Sequence, residues 1–303
     1  MRVLFCLLFC GLAGVSCSTI NKPFYWKIEK DGKTSYLLGT MHSGIDIRDM
    51  PEELHKDLEK SKAVLKEITL ESEKTNPYSY DFRTKTRKDY FKQHENKITE
   101  NIEKNITVKH YFTTEQWTKI ENRIAELGVE RSIIPYFTLP VILVFLKDRQ
   151  KLYVTYSQQA VLNVKSLDLE IEFKALKAKK PIYRLDSLER MKPSCWDRMK
   201  VSSIVFYLDN DTYDWINDFV VMVDDYRTGD EELILKDEKG YDKELDKCLL
   251  DERNAHWAPV IEKHHQKDSP LFIAAGVRHF TGEGNVLQLL EKMGYKIQRF
   301  PFK

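Results

Sequence analysis

Apolar, strand-forming segments gather toward the two ends of this 303-residue chain, and helical periodicity dominates the stretch between them. A sheet drawn from both ends requires the chain to leave it, build something helical, and return. At the N-terminal end, "FYWKIEKDGKTSYLLG" sets two alternating segments around Asp31-Gly32, a strong hairpin signal of type I′. "MPEELHKDLEKSK" then reads as a helix with Pro51 in its first turn, and "AVLKEITL" as a strand. At the C-terminal end the order is strand "LFIAAG", a glycine-rich turn, helix "NVLQLLEKMG" and strand "YKIQRF". The expected fold class is α/β: a mixed β-sheet core built from N- and C-terminal segments, with a helical insertion between them.

The insertion is expected over about residues 75–165. Within it, "TTEQWTKIENRIAELG" has Thr caps, an apolar stripe at Trp117, Ile120, Ile124 and Leu127, and Gly128 as a stop. "IIPYFTLPVILVFL" is too short for a membrane span, contains two prolines, and reads as a buried helix. "SLDLEIEFKALKAKKPIYRLDS" reads as a helix and a short strand, "PIYRL". Further helices are expected over about 211–266, the first stopped at Gly229 and the last kinked at Pro259.

A hydrophobic content of 42% supports a globular core. Lys and Arg (48) nearly cancel Asp and Glu (47), leaving a net charge of +1, which argues against nucleic acid as a partner. The basic lean of residues 83–109 is broken by interleaved carboxylates and reads as a solvated helical surface. Residues 1–16 have one early Arg, an apolar run and then small residues, the pattern of a secretory signal peptide. Cys17 follows in "GVSC", which resembles a lipoprotein signal although Gly14 stands where Leu is usual. Two outcomes follow: a chain of residues 17–303 anchored in the cell envelope by lipid on Cys17, at the outer membrane or periplasmic face, or a secreted one. The remaining cysteines, Cys195 and Cys248, either pair in an oxidising compartment or stay as separate buried thiols.

Two Gly-x-x-His units end the apolar runs, Gly39 with His42 and Gly276 with His279, more than 12 glycines and 8 histidines predict by chance. Functional groups gather beyond the carboxyl ends of strands in open α/β sheets. Glycine would turn the chain sharply there, and if the two strands run parallel, both imidazoles overhang one edge. The alternative for each is a satisfied loop histidine. Glu67, near the end of "AVLKEITL", shares a face with Ala63 and Leu65, so its carboxylate needs a charge or a metal. A salt bridge to Arg253 is the competing reading. Two histidines and a glutamate suffice for a catalytic divalent ion with an open water position. Arg253 lies one turn before Trp257 and could hold Glu67 or a substrate carboxylate, with Asn254 as an oxyanion donor. A purely structural Arg–carboxylate bridge is the alternative. His264 and His265, among Lys and Gln, read as surface residues. No G-x-S-x-G, P-loop or H-E-x-x-H motif occurs.

"YLLGTMHSG", "VLKEI", "SLDLEIEFKALKAKKPIYRLDS", "DERNAHWAPVI" and "IAAGVRHFTGEGNVLQLLEKMGYKI", in this order, resemble the TraB/GumN (TraB/PrgY) family, over nearly the whole mature chain. That family is similar to the Tiki metalloproteases, which act on Wnt proteins. The resemblance implies metal-dependent hydrolysis, with Gly39, His42, Glu67, Gly276 and His279 as the implicated positions. It also matches Glu252, Arg253 and Asn254, and the Leu167-Asp168 start of the middle helix. Leu185, Asp186 and Ser187 depart from the family's Leu-Glu-Thr, with an acid one methylene shorter. The activity implied is a peptidase that holds Mn²⁺ or Co²⁺, with Zn²⁺ also compatible with mixed N/O ligands. Expected partners are a peptide or small-molecule substrate and, through the N-terminal lipid, the membrane. Two alternatives stay open: a lipoprotein that binds peptide, haem or another small ligand without turnover, as the distantly similar ChaN-like proteins suggest, and a metal-free hydrolase. The latter would use His42 as general base with Glu67 as its orienting partner.

Overall fold

A computed structural model of the chain describes residues 19–42, 44–67, 95–150, 166–186, 195–209, 215–236 and 243–302. Strands β1 (Tyr25–Lys30) and β2 (Lys33–Thr40) form the expected hairpin, paired antiparallel from Tyr25↔Leu38 to Lys30↔Lys33. Asp31 and Gly32 turn it with φ of 51° and 71°, the left-handed values a type I′ turn demands. Helix α1 (Glu52–Lys60) follows, with Pro51 as its N-cap, one position outside the first turn in which it was expected. Strand β3 (Ala63–Lys66) is buried along its whole length, as its apolar run predicts.

The helical part forms a second core. Helix α2 (Thr114–Ala125) opens on a capping box between Thr113 and Gln116 and buries Trp117, Ile120 and Ile124. The apolar run 133–146 is not one helix. Pro135 sits in a 3-10 turn (Ile134–Tyr136), and α3 (Leu139–Gln150) starts afresh with Pro140 in its first turn, where proline is tolerated. Phe137, Val141 and Ile142 pack there against the α2 stripe. Among the described residues, no helix is long and apolar enough to cross a membrane. The expected insertion reaches outside the described residues at 75–94 and 151–165, and the signal segment with Cys17 lies outside them entirely.

Helix α4 (Leu167–Lys177) returns the chain to the sheet as β4 (Ile182–Arg184). Helices α5 (Val201–Asp209) and α6 (Trp215–Thr228) follow, the latter ended by Gly229 at φ 71°. The last long helical path begins at Lys243–Asp246, passes through a π-helical turn (Lys247–Glu252), and becomes α7 (Arg253–Asp268). Pro259 stands inside α7, so the irregular turn lies upstream of the proline at which a kink was expected. A disulfide joins Cys195 to Cys248 in the π-helical turn. The chain closes with β5 (Leu271–Gly276), a 3-10 turn (Val277–Phe280), α8 (Val286–Lys292) and β6 (Lys296–Arg299).

Among the described residues the result is a six-stranded mixed sheet, order β4-β3-β5-β2-β1-β6, an α/β fold. The run β4, β3, β5, β2 is parallel, while β1 is antiparallel to both β2 and β6. The surface reading of His264 and His265 is corrected. His265 is fully buried, its Nδ1 2.9 Å from Ser35 Oγ, and His264 packs on the Tyr183 ring at 4.2 Å. Trp257, Ile261 and His265 recur every four residues on the face of α7 that packs on the sheet, so His265 continues an apolar stripe that its polar neighbours conceal.

Candidate functional site

Three parallel neighbours bring the expected residues to one edge. Strand β5 lies between β3 and β2, with Lys66↔Ala274 on one side and Gly39↔Ala275, Thr40↔Gly276 on the other. Glu67 is the residue after β3, His42 lies two residues beyond β2, and His279 sits in the 3-10 turn beyond β5. All three therefore leave the carboxyl ends of adjacent parallel strands.

The glycines serve other ends than the sharp turn expected of them. Gly276 has φ −50° and ψ 135°, a conformation open to any residue. Gly39 is needed for contact: a Cβ there would lie 3.1 Å from Phe24 Cβ and from Val277 Cα and Cγ2. A Cβ on Gly276 would meet Glu67 Oε2 at 3.7 Å and His279 Cδ2 at 3.8 Å, ordinary contact distances.

His42 stands at the mouth of the site with 70% of its side chain exposed. Its Nδ1 is 3.1 Å from Asp168 Oδ2, and the other oxygen of Asp168 accepts from Thr40 Oγ1–H at 2.6 Å. One carboxylate in the first turn of α4 thus holds two residues at the exit of β2. Its hydrogen bond and charge raise the His42 pKa to about 9. The partner that orients His42 is Asp168, not Glu67 as the metal-free alternative supposed. A histidine protonated at neutral pH is also poorly suited to act as a general base.

Glu67 belongs to a different network. Its Oε1 accepts from Arg253 Nη2–H at 2.5 Å, and Oε2 accepts a long 3.3 Å bond from the Gly276 N–H. Burial is the largest influence on this carboxyl and would raise its pKa, but the charges of Arg253 and His42, with the Arg253 hydrogen bond, hold it down at about 2. Arg253 also donates to Asp186 Oδ2 from Nε at 3.1 Å and from Nη2 at 2.5 Å, while Trp257 Nε1–H donates to Asp186 Oδ1 at 2.7 Å. The guanidinium lies 4.7 Å above the Trp257 ring. Burial works against this cation, but Glu67 and Asp186 more than offset it and raise its pKa. The expected Arg253–Glu67 bridge is present, and Asp186 completes it. Asp186, one methylene shorter than the acid of the resemblance, thus serves in the network, and it follows strand "PIYRL" as Glu67 follows "AVLK". Ser187 lies outside the described residues.

His279 is buried against Trp257, ring to ring at 4.0 Å. Asn254 Nδ2–H donates to Gly284 C=O at 3.3 Å, which turns Oδ1 toward His279 Nδ1 at 2.7 Å. Asn254 therefore orients this imidazole. The tautomer that fits carries its proton on Nδ1 and a lone pair on Nε2, 3.4 Å from Arg253 Nη1. Burial above all, with the nearby Arg253 charge, lowers the His279 pKa to about 3, so the ring is neutral. A cavity of about 400 Å³ is lined by Asn254 together with Leu250, Asp251, Arg278 and Thr281.

A family profile for the TraB/PrgY/gumN family matches residues 24–299, from the start of the sheet to its last strand. The chain belongs to this family. No curated protein and no solved structure matches it. Every residue of the site lies inside the TraB/PrgY/gumN match.

The donors suit a divalent cation in kind. Both imidazoles have Nδ1 held by an acceptor, the arrangement that fixes a metal-binding histidine, and an ion would have to displace the Nε2 proton of His42 and the 3.4 Å contact of Arg253 Nη1 with His279 Nε2. Among the described residues, no three imidazole, carboxylate or thiol groups already converge on one point, and Arg253 holds one oxygen of Glu67. Oε2 of Glu67, which accepts the long bond from the Gly276 N–H while Arg253 holds Oε1, is the oxygen left for an ion.

Proposed function

We propose that this TraB/PrgY/gumN protein is an exported, lipid-anchored, metal-dependent hydrolase of peptides. The observation that carries the reading is the pair of imidazoles, each tied through Nδ1, that leave neighbouring strands β2 and β5 at the same parallel sheet edge as the Glu67 carboxylate beyond β3. His42, His279 and Glu67 would hold a divalent ion, Mn²⁺ or Co²⁺ with Zn²⁺ as the alternative, through two Nε2 atoms and Oε2. Such an ion supplies a Lewis acid and an acidified water at neutral pH. The chain's own residues do the rest. Asp168 fixes the His42 ring, Asn254 fixes that of His279, and Arg253 keeps Glu67 ionised. Exposed, His42 faces the solvent side, where a peptide would arrive.

The test is hydrolysis of a peptide library by the mature chain, with Mn²⁺ or Co²⁺ supplied and His279→Ala as control. Sequence-dependent cleavage by wild type and its loss in the variant support the reading. Tight, saturable binding of peptide or haem without turnover would replace it by the ligand-binding alternative.

A further inference from the structure

Upstream of Arg253 lies a construction that the proposed chemistry does not use. Cys248, in the π-helical turn Lys247–Glu252, is bonded to Cys195, 53 residues away in sequence. Arg198, in the same 3-10 turn as Cys195, donates Nη1–H to Glu252 Oε1 at 2.7 Å, at the far end of the π turn. The turn is thus pinned near both ends to a single neighbour. Its winding has a direct consequence at the site. The Arg253 backbone N–H goes to Leu250 C=O, and the Leu249 carbonyl accepts from Arg253's own Nη1–H at 3.4 Å. The π turn therefore supplies an acceptor that steers the guanidinium which bridges Glu67 and Asp186.

π-helical turns are rare and persist where their surroundings hold them. Downstream, Trp257 and Ile261 fix α7 in the main core, while Leu245 lies in the second core. Relaxation of the π turn to α-helix would be taken up at residues 247–254, and a shift of one residue rotates a helical position by about 100°. That rotation would withdraw Arg253 from both carboxylates and Asn254 from His279.

We propose that the Cys195–Cys248 disulfide, assisted by the Arg198–Glu252 pair, is a clamp that positions Arg253 and Asn254. These four are positioning residues, and their consequence for hydrolysis, though not their effect on geometry, rests on the function proposed above. The ion pair is half exposed, so the disulfide carries most of the effect.

The experiment follows the Trp257 indole N–H, which donates to Asp186 beneath the Arg253 guanidinium, by ¹⁵N–¹H NMR together with amide exchange. Trp26, in β1, serves as the internal reference. Reduction of folded protein, and separately Cys195→Ser/Cys248→Ser, should shift the Trp257 indole and speed amide exchange at 249–254 by about tenfold or more. Trp26 and the β1–β2 amides should stay unchanged, and reoxidation of wild type should restore the original spectrum. An unmoved Trp257, or equal changes at Trp257 and Trp26, overturns the clamp, since the second result describes global loosening. If the double variant does not fold, reversible reduction of wild type decides alone. A wild type without hydrolytic activity whose Trp257 shifts as expected sinks the hydrolase reading and leaves the clamp standing.

Discussion

His279 and His42 show how one residue type takes two characters within a single site. His279 is buried, neutral and held by an amide, whereas His42 is exposed, charged and held by a carboxylate. Asn254→Ala removes the His279 partner, and divalent-ion affinity, read by competition with a chromophoric chelator, should fall about 10- to 100-fold. In Asp168→Asn, the His42 titration followed by NMR should move from about 9 down toward 6.5. Its raised pKa contributes stability that is full below 6.5 and lost as pH rises through about 9, a small amount for so exposed a ring. The buried groups have the opposite sign. His279 is stabilising above 6.5, with the contribution lost as pH falls toward about 3, and Glu67 above 4.5, lost toward about 2. Urea midpoints of the apo protein should therefore drop between pH 7 and pH 4, and drop less in His279→Gln.

At the scale of elements, the parallel edge tolerates change unevenly. Gly39→Ala pushes a methyl into Phe24 and Val277 and should destabilise by about 1–3 kcal/mol in urea denaturation, while Gly276→Ala should be near neutral. Lys66 and Glu172 form an ion pair between β3 and α4 with side chains only 3% and 4% exposed. Glu172→Leu alone should cost about 3–5 kcal/mol, and Lys66→Met with Glu172→Leu should recover most of it. The hairpin, the strand pair carrying the two histidines and the α2 stripe were legible because each is a local apolar pattern or turn signal. The π turn was not, because it leaves no periodicity of its own. His265 was misread for a related reason, since the inward face of α7 is set by packing on the sheet and not by its neighbours in sequence. Asp186 was visible in principle, as an acid after a short strand, but "PIYRL" is too brief to announce a central neighbour of β3.

At the scale of the molecule, the helical path from Lys243 to Asp268 ties the helical core to the sheet core, and the site lies where they meet. A lipid on Cys17 would place this assembly at a membrane surface, and Cys17→Ser should move the protein from the membrane to the soluble fraction on ultracentrifugation. The central claim is that His42, Glu67 and His279 share a divalent ion. It is tested most directly by metal analysis of the purified mature chain carrying Cys17→Ser, loaded with Mn²⁺, Co²⁺ or Zn²⁺, beside His42→Ala and His279→Ala. The account predicts about one ion per wild-type chain, lost in both variants. A wild-type chain that takes up no divalent ion under any loading condition, or variants that keep it in full, would contradict it.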